Sequence, residues 1–276
     1  MSDLQQRLQQ AVSDRYTVLS EIGRGAMAYV YLAERTSDDL KVAIKVMDPD
    51  MTIGLGAERF LREIKISAGL QHPHIIPILD HDSSDLLYYV MEYVDGESLR
   101  ARMLREGQMQ VGEALRISRE VGNALVYAHD NGVIHRDIKP ENVLISDDHA
   151  VVADFGVARA IQEAREDVLT TPGVALGTPD YMSPEQARGT RRLDGRTDIY
   201  SLCCMLHEML AGEAPFPGDN ENTIMARRIM EDPPHVRDLR RAVPRQLDKV
   251  IRKGMATNPK QRYSSAAQFV EAIADY

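Results

Sequence analysis

The chain has 276 residues, long for one hydrophobic core and sufficient for two. With 43% hydrophobic and 27% charged residues it is not a disordered chain. A net charge of -9 excludes a general binder of the phosphate backbone, because nucleic-acid binders need basic surfaces; the acidity suits basic partners or simple solubility.

In chain order, residues 3–13 read as a short amphipathic helix that either packs on the strand-rich lobe or frays. Strand-like alternation comes next in YTVLSEIG (16–23), AYVYLAER (28–35) and KVAIKVM (41–47), separated by Gly- or Asp-rich turns. Residues 57–70 carry helical spacing and end at His72-Pro73, since a residue before proline resists helical torsions. ILDHD and LLYYVMEYV (86–94) read as further strands. After Asp95-Gly96 helical patterns take over at 98–106, 112–131, 196–211, 221–231, 244–256 and 264–275. Among them NVLIS (142–146) and AVVADF (150–155) form a predicted hairpin. Between Gly156 and Glu185 no period is visible, and loops of that length are functional or mobile.

The two cysteines, Cys203 and Cys204, are adjacent in a helical stretch. Adjacent helical cysteines do not form an ordinary disulfide, and two are too few for a metal site, so they read as buried apolar groups in a reducing compartment. The first residues lack the apolar core of a signal peptide, and no run reaches the ~18 apolar residues of a membrane span. The helical pattern runs up to Tyr276, which allows a longer parent protein.

Four segments carry possible chemistry. GRGAMAYV (23–30) puts two glycines between strands, either a plain hairpin or a loop that lets backbone approach phosphate oxygens. It lacks the Gly-Lys-Ser/Thr of a Walker loop, and a strand rather than a dinucleotide-binding helix comes after it. In VAIKV the alternation sets Ala43 and Lys45 on one face and Val42, Ile44 and Val46 on the other. Lys45 either snorkels at an edge or holds phosphates, in which case a carboxylate must steady it. Glu63 is the candidate, with Glu58 as the alternative. HRDIKPEN (135–142) places Asn142 five positions after Asp137, a spacing that a surface turn does not need. DFG (154–156) ends an apolar strand and is either a turn or a site where Asp154 offers a carboxylate to a hard divalent cation. Asn142 would add an amide oxygen and leave Asp137 as a base.

In this order, G-x-G, VAIK, HRDxKPEN, DFG and S-P-E resemble the eukaryotic-type (Hanks-type) Ser/Thr protein kinase catalytic domain, with "DFGVARAI" and "YMSPEQARG" most similar to bacterial members. The resemblance covers residues 16 to about 274. It implies an α+β, bilobal fold: a helical extension (1–15), a strand-rich N-lobe (16–94) and a helical C-lobe (95–276), with ATP between the lobes. Gly23 and Gly25 would cover the phosphates, though the third glycine is Ala28 here. The resemblance also assigns Ile22, Val30 and Ala43 to the nucleotide site. Lys45 would contact the α/β-phosphates and pair with Glu63. Met91 would guard the adenine pocket, and the backbone of Glu92 and Val94 would hydrogen-bond adenine. Asp137 would take or orient the hydroxyl proton, and Lys139 would steady the transferring phosphoryl group. Asn142 and Asp154 would hold Mg2+, with Mn2+ able to substitute.

By the same resemblance, Arg136 would answer a phosphate on Thr170 or Thr171, added by another copy of the chain. Thr178 would contact Asp137 and Lys139. Glu185 would pair with Arg262, and Asp198 would brace the catalytic-loop backbone. Cys203 stands where the family often has glycine. The expected substrates are proteins bearing serine or threonine, with no nucleic acid and no membrane segment in this chain. The expected location is cytoplasmic, either free or as part of a membrane-anchored protein. A pseudokinase is disfavoured because Lys45, Asp137 and Asp154 are all present. A small-molecule phosphotransferase is disfavoured by the S-P-E segment and the Asp198 helix.

Overall fold

The computed structural model describes residues 2–25, 27–49, 57–157, 179–190 and 192–276. These fall into two compact units, one from residues 2–71 and 76–95 with Gly156 and Val157, the other from 72–75, 96–155 and the described part of 179–276.

The first unit is a five-stranded antiparallel sheet of order β1-β2-β3-β5-β4. Its strands are β1 (Tyr16–Arg24), β2 (Ala28–Arg35), β3 (Lys41–Met47), β4 (Ile78–Asp82) and β5 (Tyr88–Glu92). The period-two pattern of β3 is realised: Val42, Ile44 and Val46 are buried in one apolar cluster with Tyr31, Ala33, Tyr88 and Val90. Helix α1 (Asp3–Val12) closes this cluster, with Leu8 and Val12 fully buried. The N-terminal helix therefore packs rather than frays. Ser2 caps it by accepting from Gln5 N–H, and the Gln9 amide accepts from Val18 N–H (2.8 Å) while donating to the Tyr16 carbonyl (3.1 Å). Helix α2 (Ala57–Ala68) buries Phe60, Glu63 and Ile64.

In the second unit β6 (Glu97–Ser98), β7 (Val143–Ser146) and β8 (His149–Val152) form a small sheet. The predicted hairpin is present, turned by Asp147 and Asp148, both at positive φ as a two-residue type I′ turn requires. The helices are α3 (Leu99–Glu106), α4 (Val111–Asp130), α5 (Pro184–Ala187), α6 (Arg196–Ala211), α7 (Glu221–Met230), α8 (Val236–Leu239), α9 (Arg245–Gly254) and α10 (Ala266–Ala272). The sequence pattern did not mark α5, α8 or the two-residue β6, which are too short to show a period.

Helix α6 is buried on every side, from Thr197 to Ala211. A helix with no solvent face must satisfy or neutralise each polar group inside the protein. Cys203 and Cys204 are among its buried residues, and burial pushes both thiols up, as expected of packing groups. His207 is fully buried, and burial pushes its pKa down from 6.5 to about 4, against weak opposition from the Glu213 backbone and Asp248. Between those values the unfolded chain binds a proton that the folded chain refuses, so stability falls as pH drops from 6.5 towards 4. His207→Leu should flatten that decline, removing up to about 3 kcal/mol of pH dependence. Urea midpoints measured across the window check this; parallel declines in both proteins would refute it.

Candidate active site

The catalytic loop is built in the second unit, where Asp198 organises it from inside α6. Its carboxylate accepts from the backbone N–H of His135 (2.9 Å) and of Arg136 (2.8 Å), and it pairs with His129 Nε2 at 2.8 Å. Burial alone would raise this carboxyl, but the His129 hydrogen bond and the loop amides outweigh it and hold the pKa below the ordinary value. The clamp is needed because Arg136 sits at φ 68°, a left-handed conformation costly for a residue with a Cβ. From the other side Gln186 Nε2 donates to the Arg136 carbonyl (2.7 Å).

With the backbone fixed, Asp137 faces its predicted companions. Lys139 Nζ lies 2.7 Å from Asp137 Oδ2. Asn142 Nδ2 donates to the Asp137 carbonyl (2.8 Å) and to Oδ2 (3.1 Å). The amide nitrogen is thus committed to Asp137, and the amide oxygen is the atom available to a cation. The Asn142 carbonyl accepts from Ala153 N–H (2.9 Å), which ties the loop to the residue before Asp154. His135 adds Nε2 to the Ala153 carbonyl (2.9 Å) and packs edge-on against Phe155 at 4.6 Å. Asp154 is itself left-handed, φ 66°. Arg136 and Asp154, outside the hairpin turn of Asp147 and Asp148, hold positive φ without being glycine, the kind of strain functional loops store. Among the described residues no three His, Cys, Asp or Glu side chains converge on a metal position. Asn142 and Asp154 offer hard oxygen donors that fit Mg2+, which takes one or two protein ligands and completes its shell from phosphate and water.

In the first unit, Lys45 lies on β3 opposite Val30 of β2 and Tyr89 of β5. Ala43 faces Met91 across the same ladder. Glu63 is buried on α2 and lies 3.6 Å from the Arg62 guanidinium. Gly23 pairs with Val30, and a Cβ there would make only ordinary contact with it at 3.6 Å. Gly25 donates its N–H to the Ala28 carbonyl (2.9 Å), and a Cβ there would meet only that oxygen among the described atoms, at 3.8 Å. Neither glycine has positive φ. The fold does not demand them, which favours close approach of a ligand over a tight turn. Gly156 differs: φ is 74° and a Cβ would lie 2.0 Å from Ser67 Oγ of α2. Ile22 is exposed, while Met91 and Val94 are half-buried. Glu92 N–H donates to the Pro77 carbonyl (3.3 Å).

The expected Glu185–Arg262 pair is present and bidentate, with both N···O distances 2.7 Å. Thr170, Thr171 and Thr178 lie outside the described residues. Sequence reading missed His129, Gln186, Thr197 and Arg100. Thr197 hydrogen-bonds both Ser183 and Glu185, and Arg100 binds Glu141 and Glu208.

This fold and site define a protein kinase. The protein kinase domain family matches residues 16–273, and the chain belongs to it. It has the α+β protein kinase fold, with a strand-rich small unit and a helical large one. Serine/threonine-protein kinase PknB of Mycobacterium tuberculosis (strain ATCC 25618 / H37Rv) is 40% identical over 264 residues, covering 93% of this chain and 42% of the relative. PknB of Mycolicibacterium smegmatis is 40% identical over 266 residues (94% and 42%), and PknD of the same M. tuberculosis strain is 40% identical over 264 (94% and 39%). The chain is thus a protein serine/threonine kinase domain, similar to bacterial members, and it spans about two-fifths of the length of these relatives. No helix among the described residues is long and apolar enough to cross a membrane.

Proposed function

We propose that this protein transfers the γ-phosphate of ATP to serine and threonine hydroxyls of other proteins, and that it is switched on by phosphorylation of its own loop. The observation that carries this is the Asp137 carboxylate, held by Lys139 and Asn142 on a backbone clamped by Asp198. The substrate oxygen attacks the γ-phosphorus, the bond to the β-phosphate oxygen breaks, and ADP leaves with the electron pair. The hydroxyl proton passes to Asp137. Lys139 neutralises charge on the phosphoryl group in flight, and Lys45, steadied by Glu63, holds the α/β-phosphates. Gly23, Gly25, Ile22, Val30, Ala43, Met91, Glu92 and Val94 surround the nucleotide, and Asn142 with Asp154 holds Mg2+. Residues 16–94 and 95–276 serve as the two lobes. The domain works in signalling in the cytoplasm, either free or as part of a membrane-anchored protein.

Arg136 is the reason to assign activation to Thr170 or Thr171: a guanidinium beside the catalytic aspartate pairs bidentately with phosphate and can order the loop. A second copy of the chain supplies that phosphate. Mass spectrometry after incubation with ATP and Mg2+ should show phosphate on one or both. Thr170→Ala with Thr171→Ala should lower turnover of a protein substrate by about tenfold or more, since ordering one loop by charge-assisted bonds is worth 1–2 such bonds. Unchanged turnover, measured against phosphorylated wild type, would sink the activation reading and leave the transfer reading standing.

A further inference from the structure

In a chain with a net charge of -9, the stretch from Arg237 to Arg262 carries nine Lys and Arg against two Asp. Part of that excess lines a pocket of about 320 Å³ in the second unit, bordered by no residue of the catalytic loop. Lys249, Arg252 and Lys253 reach it from helix α9, Asp232 from the turn after α7, and Thr257 and Gln261 from the chain after α9. Arg252 Nε donates to the Pro233 carbonyl (2.9 Å), which fixes the guanidinium and leaves its two Nη groups for a ligand. Lys253 Nζ lies over the Tyr263 ring, 4.3 Å from its centroid, so its long stem is placed before anything binds. Among the described residues none of the three cations has an ion-pair partner within 4.0 Å, Asp232 of the same pocket included. Helix stability does not explain this face. The dipole favours Arg252 and Lys253 in the last turn of α9, but Lys249 stands three and four residues before them, where like charges repel. A concave wall lined by one sign of charge instead concentrates the opposite ion. Three cations against one carboxylate leave two positive charges in excess, which matches a phosphate monoester at about -2 and exceeds what one carboxylate side chain neutralises. The Thr257 hydroxyl and the Gln261 amide add neutral donors suited to phosphate oxygens.

We propose that this pocket is a docking site for a phosphorylated serine or threonine side chain of another protein, with Arg252 forking onto the phosphate and Lys249 and Lys253 neutralising it. The choice of a protein phosphate rests on the protein-kinase reading above, in which the catalytic loop makes the very group that the pocket takes. A protein already carrying one phosphate is then held by this domain for a second transfer, and the pocket raises its effective concentration without touching the reacting atoms.

The test measures fluorescence anisotropy at fixed salt, without nucleotide, on dephosphorylated protein and three peptides that differ only in bearing threonine, glutamate or phosphothreonine at one position. Wild type should bind the phosphothreonine peptide roughly tenfold more tightly than either of the others, the effect of charge-assisted bonds to a dianion. Lys249→Glu, a change at an exposed position that leaves the fold intact, should abolish that preference. Arg252→Lys should weaken it severalfold, because lysine cannot fork onto phosphate. In turnover, a peptide with one phosphothreonine and one free threonine should show a KM raised about tenfold in Lys249→Glu at unchanged kcat, while the unphosphorylated peptide keeps both constants. Equal affinities of wild type for the three peptides, or a preference that survives Lys249→Glu combined with Lys253→Glu, would overturn the proposal. So would displacement of the phosphothreonine peptide by inorganic phosphate at the peptide's own concentration, which would mark a site for the free ion. Binding to vesicles containing phosphoinositide that Lys249→Glu abolishes, without any preference among the peptides, would assign the pocket to lipid and overturn it too. Absence of turnover on every peptide would count against the kinase reading, and the affinities, measured without nucleotide, would still decide the pocket.

Discussion

Asp137→Asn should cut phosphoryl transfer by about a thousandfold, the middle-to-upper range for loss of a positioned general base, while the domain still folds and binds ATP. The geometry supports both halves of this result. The asparagine is isosteric, and its amide oxygen can accept the Asn142 Nδ2 hydrogen bond that Oδ2 accepts now at 3.1 Å. The backbone at 135–136 is fixed by Asp198 and does not depend on the Asp137 side chain. What is lost is the negative charge that balances Lys139 at 2.7 Å and that the proposed transfer needs to receive the hydroxyl proton. Lys139, freed of its partner, would hold the phosphate oxygens of ATP more tightly, so ATP affinity should be kept or slightly raised as turnover collapses. Single-turnover transfer to a protein substrate, alongside nucleotide titration, separates the two effects. A loss below tenfold would deny Asp137 its role as base, and a parallel loss of ATP binding would point to a collapsed site.

How much of this site could be read in the chain depends on which partners each residue has. Asp137 and Asn142 stand five residues apart, a spacing that marked them, whereas Lys139 between them took its role only from the family resemblance. The face of β3 that carries Lys45 could be read from strict alternation, which the buried Val42, Ile44 and Val46 realise. The braces behind the loop were a different matter. His129 meets Asp198 across 69 positions, Gln186 meets Arg136 across 50, and Arg100 meets Glu208 across 108. No periodicity links such pairs, and only the packed chain brings them together. Helix α6 has no polar face and so no amphipathic stripe to read: Asp198 was assigned its bracing role only through the family resemblance, and Thr197 and Glu208 looked like ordinary helical polar residues. The N-terminal helix showed an amphipathic pattern but not its destination, because the pairing of Gln9 with the backbone of β1 uses side-chain amide chemistry that any surface glutamine also possesses.

Arg262→Ala should destabilise the protein by about 3–5 kcal/mol, the cost of stripping one partner from a buried ion pair. The Arg262 side chain is 0% exposed and that of Glu185 13% exposed. The guanidinium forks onto both Glu185 oxygens, donates further to the carbonyls of Ala256 (2.7 Å) and Arg196 (2.9 Å), and covers the Tyr200 ring at 4.8 Å. Truncation leaves these acceptors facing a void and Glu185 without its cation, held by the Thr197 hydroxyl (2.9 Å) and a backbone N–H. Burial pushes the Glu185 carboxyl up, and in the intact protein the Arg262 fork overrides this and holds its pKa below 4.5. A depressed folded pKa gives stability that is full above the unfolded value and lost as pH falls through the folded one. Wild type should therefore lose part of this contribution on acidification below about pH 4.5. In Arg262→Ala the shift reverses: the buried carboxylate takes up a proton more readily in the folded chain, and the acid loss from this pair disappears. Replacing both residues, as in Glu185→Leu with Arg262→Met, should cost less than Arg262→Ala alone, because an apolar pair leaves no charge stranded. Urea denaturation of the three proteins at pH 7 and pH 4 decides it. A single variant within 1 kcal/mol of wild type would show that the pair is bystander geometry. A larger loss in the double variant than in the single would show that the Glu185 carboxylate, through its bond to Thr197, holds α5 and hence Gln186 against the catalytic loop even without Arg262.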